Sequence, residues 1–378
     1  MVPSLRVLYA SCAAIALVAA QGGWALADDF VVDTPSTQTN AGNTFDTGDS
    51  ITITETGSIS PGAGDPGVRA TVNTITVVNS GTIAASGRDA YGIVLRNGNT
   101  VTNFGTITTS GRDSRAIQVG QGSRIFNFGA ITTSGDSSAA AVVIQDSSIF
   151  NFGAIETSGN ISRGIFSSVN NVITNAGSIT TVGNFADGIV ADRNNTVTNS
   201  GLIATRGDFA PGIGPGEATI ANNTIINTGI ITTTGSNSAA ITMPNSTITN
   251  YGRLVSAQFD SMRLTESANV LNLHAPSFLG GRIDLGDGTT VSIVSGQSHS
   301  ILWDLSTGTM NGGAPTLSGP VPIFYNAATS QVATFDPTAL SGSANALGDM
   351  TGNLSALMRQ RLSASQAGGG EEADASFV

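Results

Sequence analysis

An asparagine with the same neighbours on both sides returns every 24 residues through much of the chain. The spacing stays at 24 from Asn79 to Asn199, then becomes 28 and finally 23. A fixed period of this size predicts stacked, nearly identical units. We expect Glu55, which lies 24 residues before Asn79, to hold the same position in an earlier unit. The repeated asparagines are Asn79, Asn103, Asn127, Asn151, Asn175, Asn199, Asn227 and Asn250.

Apolar residues flank each of these asparagines at strand spacing. Valine or isoleucine stands two residues before the asparagine, and isoleucine or leucine stands four residues after it. A spacing of two predicts strands whose alternate side chains face a core. Glycines two and eight residues after the asparagine predict tight corners. We expect these glycines to supply backbone angles that other residues resist.

Each unit therefore predicts three short strands and three corners. The strands of one unit would pair with their equivalents in the next, about 4.8 Å along the axis. The fold class that follows is all-β: a right-handed parallel β-helix with three strands in each rung of about 24 residues. The alternation directs the repeated asparagines inward, where their amides can hydrogen-bond along the stack and to corner backbone groups. We interpret this asparagine ladder as structural.

The N-terminal residues have the composition of a secretory signal. Arg6 precedes an apolar stretch, and Ala-Leu-Ala at 25–27 forms a cleavage site before Asp28. We predict a signal peptide at 1–27, and therefore export across the inner membrane. Cys12 is the single cysteine, so we expect neither a disulfide nor thiol chemistry after cleavage.

The charge balance is acidic. All 15 basic residues are arginines, against 26 aspartates and glutamates, and the net charge is −11. Such a surface argues against nucleic acid and anionic lipid as partners. Charged residues are only 11% of the chain, which is typical of an extracellular rod when regular apolar rows supply a core.

The period fades after about Leu254, and the segments that follow differ in pattern. We assign 28–265 to the β-helix and 266–340 to a strand-rich closing segment. Residues 341–363 place leucine and methionine three or four apart and predict a short amphipathic helix. Glycines and acidic residues in 364–378 predict a flexible tail.

This order of parts resembles the passenger half of a bacterial autotransporter, the type V secretion family. The closing segment carries F-L-G-G-R-I-D-L-G-D-G-T at 278–289 and V-A-T-F-D-P-T-A-L at 332–340, and A-L-G-D-M-T-G-N-L-S-A-L follows at 346–357. The resemblance covers nearly all of the chain. It implies a right-handed β-helix, an autochaperone-like closing segment and a helix that threads a pore.

Members of that family continue into an outer-membrane β-barrel, whereas this sequence has no run of alternating strands after residue 363 that would build one. The resemblance therefore implies a β-barrel translocator as a partner that this sequence does not include. An interrupted gene, a partial sequence or a second chain would each explain the difference. We expect the cell surface, the outer membrane or the medium as the location when a barrel is available, and the periplasm otherwise.

Few residues are candidates for catalysis. Enzymes with this fold degrade polysaccharides and need carboxylates clustered on neighbouring rungs. Asp89 and Asp113 share one offset in adjacent units, but the arginines Arg88 and Arg112 precede them, which is typical of a solvated corner with screened charges.

Other signs of chemistry are weak. His274 and His299 lack a matched pair of acids, and the sequence contains neither a Gly-x-Ser-x-Gly motif nor metal-ligand spacing. We predict no catalytic residues, no metal site and no cofactor.

Two surface features are candidates for binding. Arg206, Gly207 and Asp208 form an Arg-Gly-Asp tripeptide, a possible integrin ligand at an exposed corner, although Gly207 is also the repeat's own corner glycine and a chance origin is the default. An aromatic residue follows the ladder asparagine in several units, and we expect an outward stack that covers a sheet face, with a sugar-binding strip as the alternative. The aromatic residues are Phe104, Phe128, Phe152 and Tyr251.

Two classes of function remain open. We favour a non-enzymatic exported surface rod with an adhesin, autoaggregation or spacer role, whose ligand would lie on a host cell or a neighbouring cell. The alternative is a β-helical polysaccharide-degrading enzyme, a lyase or a hydrolase. The regular units favour the rod, because an enzyme needs irregular loops to wall a cleft. The single enlarged unit, at 210–218, is where we expect recognition besides the sides of the rod.

Overall fold

The computed structural model describes residues 29–36, 45–216, 221–266, 268–297, 299–306 and 308–336. Through these residues the chain passes from a first to a second and a third sheet, turn after turn. The prediction of an all-β parallel β-helix with three strands per turn is confirmed, and the right hand of the winding stays a prediction. The predicted signal peptide, terminal helix and tail lie outside the described residues.

The first sheet has thirteen strands, and each pairs in parallel with its equivalent one turn away. Twelve steps of about 4.8 Å make this sheet roughly 58 Å long. Its strands are β1 (Phe30–Val32), β3 (Ser50–Ile53), β6 (Thr76–Asn79), β9 (Thr100–Asn103), β12 (Arg124–Asn127), β15 (Ser148–Asn151), β18 (Val172–Asn175), β21 (Thr196–Asn199), β24 (Thr224–Asn227), β27 (Thr247–Asn250), β30 (Val270–His274), β33 (Thr290–Val294) and β35 (Thr316–Ser318).

The second sheet has eleven strands, all parallel. It follows the first after a corner at the asparagine and glycine of each unit. Its strands are β2 (Pro35–Ser36), β4 (Ser58–Ile59), β7 (Thr82–Ala85), β10 (Thr106–Thr109), β13 (Ala130–Thr133), β16 (Ala154–Thr157), β19 (Ser178–Thr181), β22 (Leu202–Thr205), β25 (Ile230–Thr233), β28 (Arg253–Ser256) and β31 (Phe278–Gly280).

The third sheet has thirteen strands and ends in an antiparallel edge, because its last two strands reverse direction. Its strands in spatial order are β5 (Val68–Ala70), β8 (Ile93–Leu95), β11 (Arg115–Val119), β14 (Ala139–Gln145), β17 (Arg163–Val169), β20 (Ile189–Arg193), β23 (Ile213–Gly214), β26 (Ile241–Pro244), β29 (Met262–Thr265), β32 (Ile283–Asp284), β34 (Leu302–Ser306), β37 (Gln331–Thr334) and β36 (Ile323–Asn326).

One continuous cluster of aliphatic side chains fills the interior. In a typical turn, Ile125, Ile131 and Ala141 come from the three sheets in order, and each is at most 1% exposed. Branched side chains suit this setting because they pack well on a pleated surface. Each buried isoleucine contributes about 1.5–3 kcal/mol, so the stack needs no cross-link to hold it. None of the described residues forms a helix that could cross a membrane.

The register corrects the position expected for Glu55. Ile53 pairs with Asn79, while Ile59 pairs with Ile83. Six positions therefore separate the paired residues in this turn (59 − 53), against four in the next (83 − 79). Ile53 holds the asparagine position, and Glu55 is exposed in the lengthened corner. The prediction for Glu55 is wrong because a count of 24 residues runs through a corner that is two residues longer than the others.

The reason expected for the corner glycines is also wrong. Apart from Gly87, these glycines do not have a left-handed backbone. A Cβ on Gly129 would instead lie 2.0 Å from the carbonyl oxygen of Gly105 in the previous turn. At the next corner, a Cβ on Gly135 would lie 1.7 Å from the carbonyl oxygen of Gly111. Glycine is required because successive turns approach too closely for any side chain.

Left-handed backbone is found at two other positions of the repeat, mostly at residues other than glycine. One position lies ten residues after the ladder asparagine, and the other lies five residues before it. The first set is Asp89, Asp113, Ser137, Ile161, Phe185, Phe209 and Asn237, and the second is Thr74, Gly98, Gly122, Asp146, Asn170, Asn194, Asn222 and Asn245.

The stacking continues past residue 265. Strands β30 and β33 extend the first sheet in parallel, and Leu273 and Ile293 stand in line with Asn250. The asparagine row therefore ends at Asn250, and apolar residues take its place in the last turns.

Candidate binding face on the third sheet

The repeated asparagines lie inside the rod and form one hydrogen-bonded row. All of them are fully buried. Each Nδ2 donates to the Oδ1 of the next asparagine, at 2.7 Å from Asn79 to Asn103 and at 2.8 Å from Asn227 to Asn250. Most also donate to a corner carbonyl. The row begins with a buried acceptor that has no partner, Asn79 Oδ1, because Ile53 stands in the turn before it.

Two further polar rows, which the sequence analysis missed, satisfy backbone groups at the other two corners. After the third sheet, Asn171 Oδ1 accepts a hydrogen bond from the backbone N–H of Ser147 at 2.8 Å. After the second sheet, Ser138 Oγ accepts one from the backbone N–H of Ser114 at 3.2 Å. The sequence carries a signal for both rows, since serine or asparagine recurs at a fixed offset. The identity changes from unit to unit, which makes these rows harder to see than the asparagine row.

The paired acids Asp89 and Asp113 lie on the outer corner between the second and third sheets. Arg88 Nη2 is 3.2 Å from Asp113 Oδ2, and Arg112 Nε is 3.6 Å from the same oxygen. Both aspartates have a left-handed backbone. The arrangement is a ladder of alternating charges at a solvated corner, which gives both carboxylates a structural role.

The Arg-Gly-Asp tripeptide is built into the same corner. Arg206 is exposed, but Gly207 is buried, and a Cβ on Gly207 would lie 1.9 Å from the carbonyl oxygen of Gly183. Asp208 Oδ1 accepts a hydrogen bond from the backbone N–H of Ser236 at 2.8 Å. The tripeptide therefore contributes its aspartate and its glycine to the contact between turns.

The aromatic residues after the ladder asparagines form an outward stack. The rings of Phe104 and Phe128 are 5.2 Å apart and those of Phe128 and Phe152 are 5.1 Å apart, nearly parallel in both cases. Each side chain is close to half exposed. The ring faces are occupied by their neighbours, so the stack presents ring edges to the solvent. Sugar stacking uses ring faces, and this row is therefore a poor platform for it.

Two further aromatic pairs were not predicted. Phe126 and Phe150 stack at 5.1 Å beside the first row. Phe185 and Phe209 stack at 5.1 Å on the corner between the second and third sheets, where both are at least 50% exposed and have a left-handed backbone.

The two histidines have separate local surroundings. The ring of His274 stacks on that of Tyr251 at 4.4 Å, and burial lowers the pKa of His274. His299 Nδ1 is 2.6 Å from the carbonyl oxygen of Gln297. Among the residues that the structure describes, no group of three or more histidines, cysteines, aspartates and glutamates could hold a metal ion.

Arginines concentrate on the outer face of the third sheet. We use the name arginine strip for Arg69, Arg96, Arg115 and Arg163, which lie on or directly after β5, β8, β11 and β17. Alternation explains their position, because the aliphatic neighbours of each arginine take the inward positions. The strip extends over about four steps between turns, or roughly 19 Å.

Two of these arginines are held in place by neighbouring side chains. Arg115 Nη1 donates to Gln118 Oε1 at 2.5 Å, and its guanidinium lies 5.8 Å from the centre of the Tyr91 ring. The Arg163 guanidinium lies 5.5 Å from the centre of the Phe166 ring. Both contacts direct the guanidinium groups along the sheet face.

A cavity of about 440 Å³ opens on this face. Arg69, Arg96, Gln118 and Ile144 line it, and Gly120 leaves space between Arg96 and Ile144. A side chain at Gly120 would collide with Asn97 Oδ1 at 2.3 Å, so the backbone itself closes the floor. The described residues that line the cavity include two arginines and no acid.

Asp187 lies on the same face, one turn beyond Arg163. Burial raises the pKa of Asp187 to about 7, although the positive charge of Arg163 acts to lower it. The residue as a whole is only half-buried, and its carboxyl group is the enclosed part. The enlarged unit covers it, because a Cβ on Gly214 would lie 2.7 Å from Asp187 Oδ2 and 2.9 Å from Pro211 Cγ. Residues 217–220 of that unit lie outside the described part of the chain.

Comparison with known proteins gives one match. Residues 26–214, which are 189 of the 378 residues and thus half of the chain, match the model of a family described as the BigA third pectate lyase-like domain. No curated protein and no solved structure matches the chain. The matched range contains the arginine strip, the cavity and Asp187.

Proposed function

Since the chain belongs to the family of the BigA third pectate lyase-like domain, we propose that it acts as a non-enzymatic surface rod, an adhesin of the autotransporter type. The family and the solenoid together fit a β-helical passenger. The adhesive role and the autotransporter assignment are the steps that we add.

The observation that supports this proposal is the regularity of the stack. Polar side chains inside the rod are hydrogen-bonded from turn to turn, as between Asn151 and Asn175 at 2.8 Å. The candidate acids Asp113 and Asp208 are engaged in contacts between turns as well. The outer faces therefore present the same kinds of side chain at each turn, which suits contact with an extended surface.

Adhesion can be measured with the exported chain coated on fluorescent beads. We expect saturable binding of the beads to host cells or to bacteria of the producing strain, and competition by the soluble protein. Beads that carry the heat-denatured protein are the control. Equal binding by native and denatured beads to all cells tested would overturn the adhesin proposal.

The tripeptide offers a more specific test. Because the Asp208 carboxylate bonds to the backbone of Ser236, we expect Asp208→Asn, which keeps the acceptor oxygen, to leave both stability and adhesion unchanged. Arg206→Ala should be equally silent. Loss of adhesion to integrin-bearing cells in Asp208→Asn, with an unchanged melting temperature, would return the tripeptide to the role of a ligand.

We further propose that residues 1–27 direct export across the inner membrane and that a β-barrel translocator serves as the partner for the second membrane. The mature protein should begin at Asp28, which N-terminal sequencing of the exported protein can establish. With a barrel supplied, external protease should remove the rod from intact cells. Without one, we expect the protein in the periplasm.

One observation favours the alternative of a polysaccharide lyase. A β-elimination needs a base to remove the proton next to a sugar carboxylate and a cation to neutralise that carboxylate. Asp187, with a pKa of about 7, and Arg163 beside it have these two properties. Formation of unsaturated sugar products from a polyuronate, lost in Asp187→Asn and retained in Asp89→Asn, would establish the enzyme instead of the rod.

A further inference from the structure

The arginine strip is a basic region on an acidic molecule. The chain has a net charge of −11, yet the outward positions of β5, β8, β11, β14 and β17, all within the described residues, carry no aspartate or glutamate. Elsewhere on the rod, Arg88 and Arg112 lie beside aspartates. A face where four arginines accumulate without acidic neighbours in these strands favours an anionic ligand.

We infer that the arginine strip binds a linear acidic polysaccharide, a chain whose sugars carry carboxylate or sulfate groups. The inference rests on the proposed surface role and adds the ligand and its place on the rod.

The geometry suits a chain that lies along the rod axis. The strip is roughly 19 Å long, which is longer than a single sugar, and the strand spacing of about 4.8 Å keeps successive arginines in a row. The cavity beside Arg69 and Arg96 has the size of small-molecule sites, so one sugar of the chain can be enclosed there.

The side chains suit an acidic sugar chemically. The planar guanidinium of arginine matches carboxylate and sulfate oxygens with two parallel hydrogen bonds. Gln118 lines the cavity and carries an amide N–H₂ group that can donate to a sugar hydroxyl. Arg115 and Arg163 are already directed along the face by Gln118 and Phe166, which lowers the entropy lost on binding.

The overall charge selects a polysaccharide over nucleic acid. Duplex DNA carries one negative charge per about 1.7 Å of its length, and a protein with a net charge of −11 repels such a density. An acidic polysaccharide carries at most a few charges per sugar and matches a row of four arginines more closely.

The test uses the exported full chain and measures binding to immobilised alginate and heparin. Carboxyl-reduced alginate, dextran and a short DNA duplex are the comparison probes. We expect saturable binding to alginate or heparin that weakens as salt rises, and at least tenfold weaker binding to the neutral probes and to DNA. Equal binding to DNA and to the acidic polysaccharides would overturn the choice of ligand.

Variants locate the site. Arg69→Gln, Arg96→Gln and Arg163→Gln should each weaken binding about two- to fivefold, and the triple variant roughly tenfold or more, at unchanged melting temperature. Arg124→Gln, on the first sheet, removes the same charge elsewhere and should bind like the unchanged protein. If Arg124→Gln and the triple variant weaken binding equally, the interaction depends on total charge and the assigned site is wrong.

The adhesion assay separates this inference from the proposed function. Adhesion to cells without binding to any acidic polysaccharide would overturn the ligand and leave the adhesin proposal standing. Binding to alginate or heparin without adhesion would support the site and overturn the adhesive role.

Discussion

At the scale of single residues, Asp187 links the pH of the medium to the stability of the rod. Its pKa is about 7 in the folded chain, against an ordinary value of 3.8. Between these values the folded state holds a proton that the unfolded state has released, so the free energy of unfolding falls as pH rises from about 4 to about 7. We expect Asp187→Asn to be more stable than the unchanged protein at about pH 8 by about 1–3 kcal/mol. This range is below the full shift because the residue is half-buried.

Thermal or denaturant unfolding at both ends of this pH range measures the effect. Near pH 4, where Asp187 is protonated in both states or nearly so, the variant and the unchanged protein should differ little. A constant difference across the range would show that the carboxyl group is accessible to water.

Asn127 tests the buried ladder at the same scale. Its Nδ2 donates to Asn151 Oδ1 at 2.7 Å, and its Oδ1 accepts from Asn103 at 2.8 Å. In Asn127→Asp two acceptors would face each other in the interior, and we expect a loss of about 1–3 kcal/mol or more in unfolding free energy. The matched control is Asn184→Asp, because Asn184 is exposed and needs only its acceptor oxygen for the backbone N–H of Asp208. Equal losses in the two variants would remove the distinction between an inner and an outer row.

At the scale of strands and corners, the two kinds of glycine should respond in opposite ways. A Cβ on Gly129 would lie 2.0 Å from the Gly105 carbonyl oxygen, so Gly129→Ala must push two turns apart, at about 1–3 kcal/mol or more. Gly122 has a left-handed backbone and no atom within 4 Å of an added Cβ. The same position holds Asn170 and Asn194 in later turns.

We therefore expect Gly122→Asn to be neutral or to stabilise the rod by a few tenths of a kcal/mol, since asparagine tolerates this backbone and narrows the unfolded ensemble. Denaturant midpoints of the two variants provide the measurement. A destabilised Gly122→Asn together with a neutral Gly129→Ala would contradict the close approach of turns at the first corner.

The same corners show how far the sequence could predict the fold. Period, strand spacing and the inward direction of Asn127 follow from alternation, which is a local property. The position of Glu55 does not, because a corner two residues longer shifts the register without changing the count of 24. The purpose of Gly129 depends on the distance to the turn before it, which a single unit does not reveal.

The candidate site was less predictable than the fold. Arg69, Arg96, Arg115 and Arg163 have different offsets in their units, so they do not stand out as a repeat. They come together only because the third sheet is formed and because Arg115 and Arg163 lean along it toward Gln118 and Phe166. The Asp187 carboxyl group is enclosed only through contact with Gly214 of a later turn.

At the scale of the whole molecule, each turn contacts chiefly its two neighbours, so the rod should tolerate the loss of one complete unit. Deletion of 128–151 joins Asn127 to Phe152 and thereby recreates the sequence at the next corner. Asn127 would take the place of Asn151 and donate to Asn175, and every strand would find an equivalent partner. We expect a folded rod about 4.8 Å shorter, which small-angle scattering and circular dichroism can measure. Deletion of only 128–139 is the control, because it joins the end of a first-sheet strand to the third sheet and leaves its turn without a second-sheet strand.

The full-unit deletion also tests the arginine strip as a property of the stack. It removes β14, the one turn within the strip that carries no arginine, and so places β11 directly beside β17. Arg115 and Arg163 would then lie on adjacent turns, and binding to alginate or heparin should be retained or strengthened. Loss of this binding in a deletion variant that is still folded would show that the ligand depends on β14 and the cavity wall at Ile144, and that the row of arginines alone does not form the site.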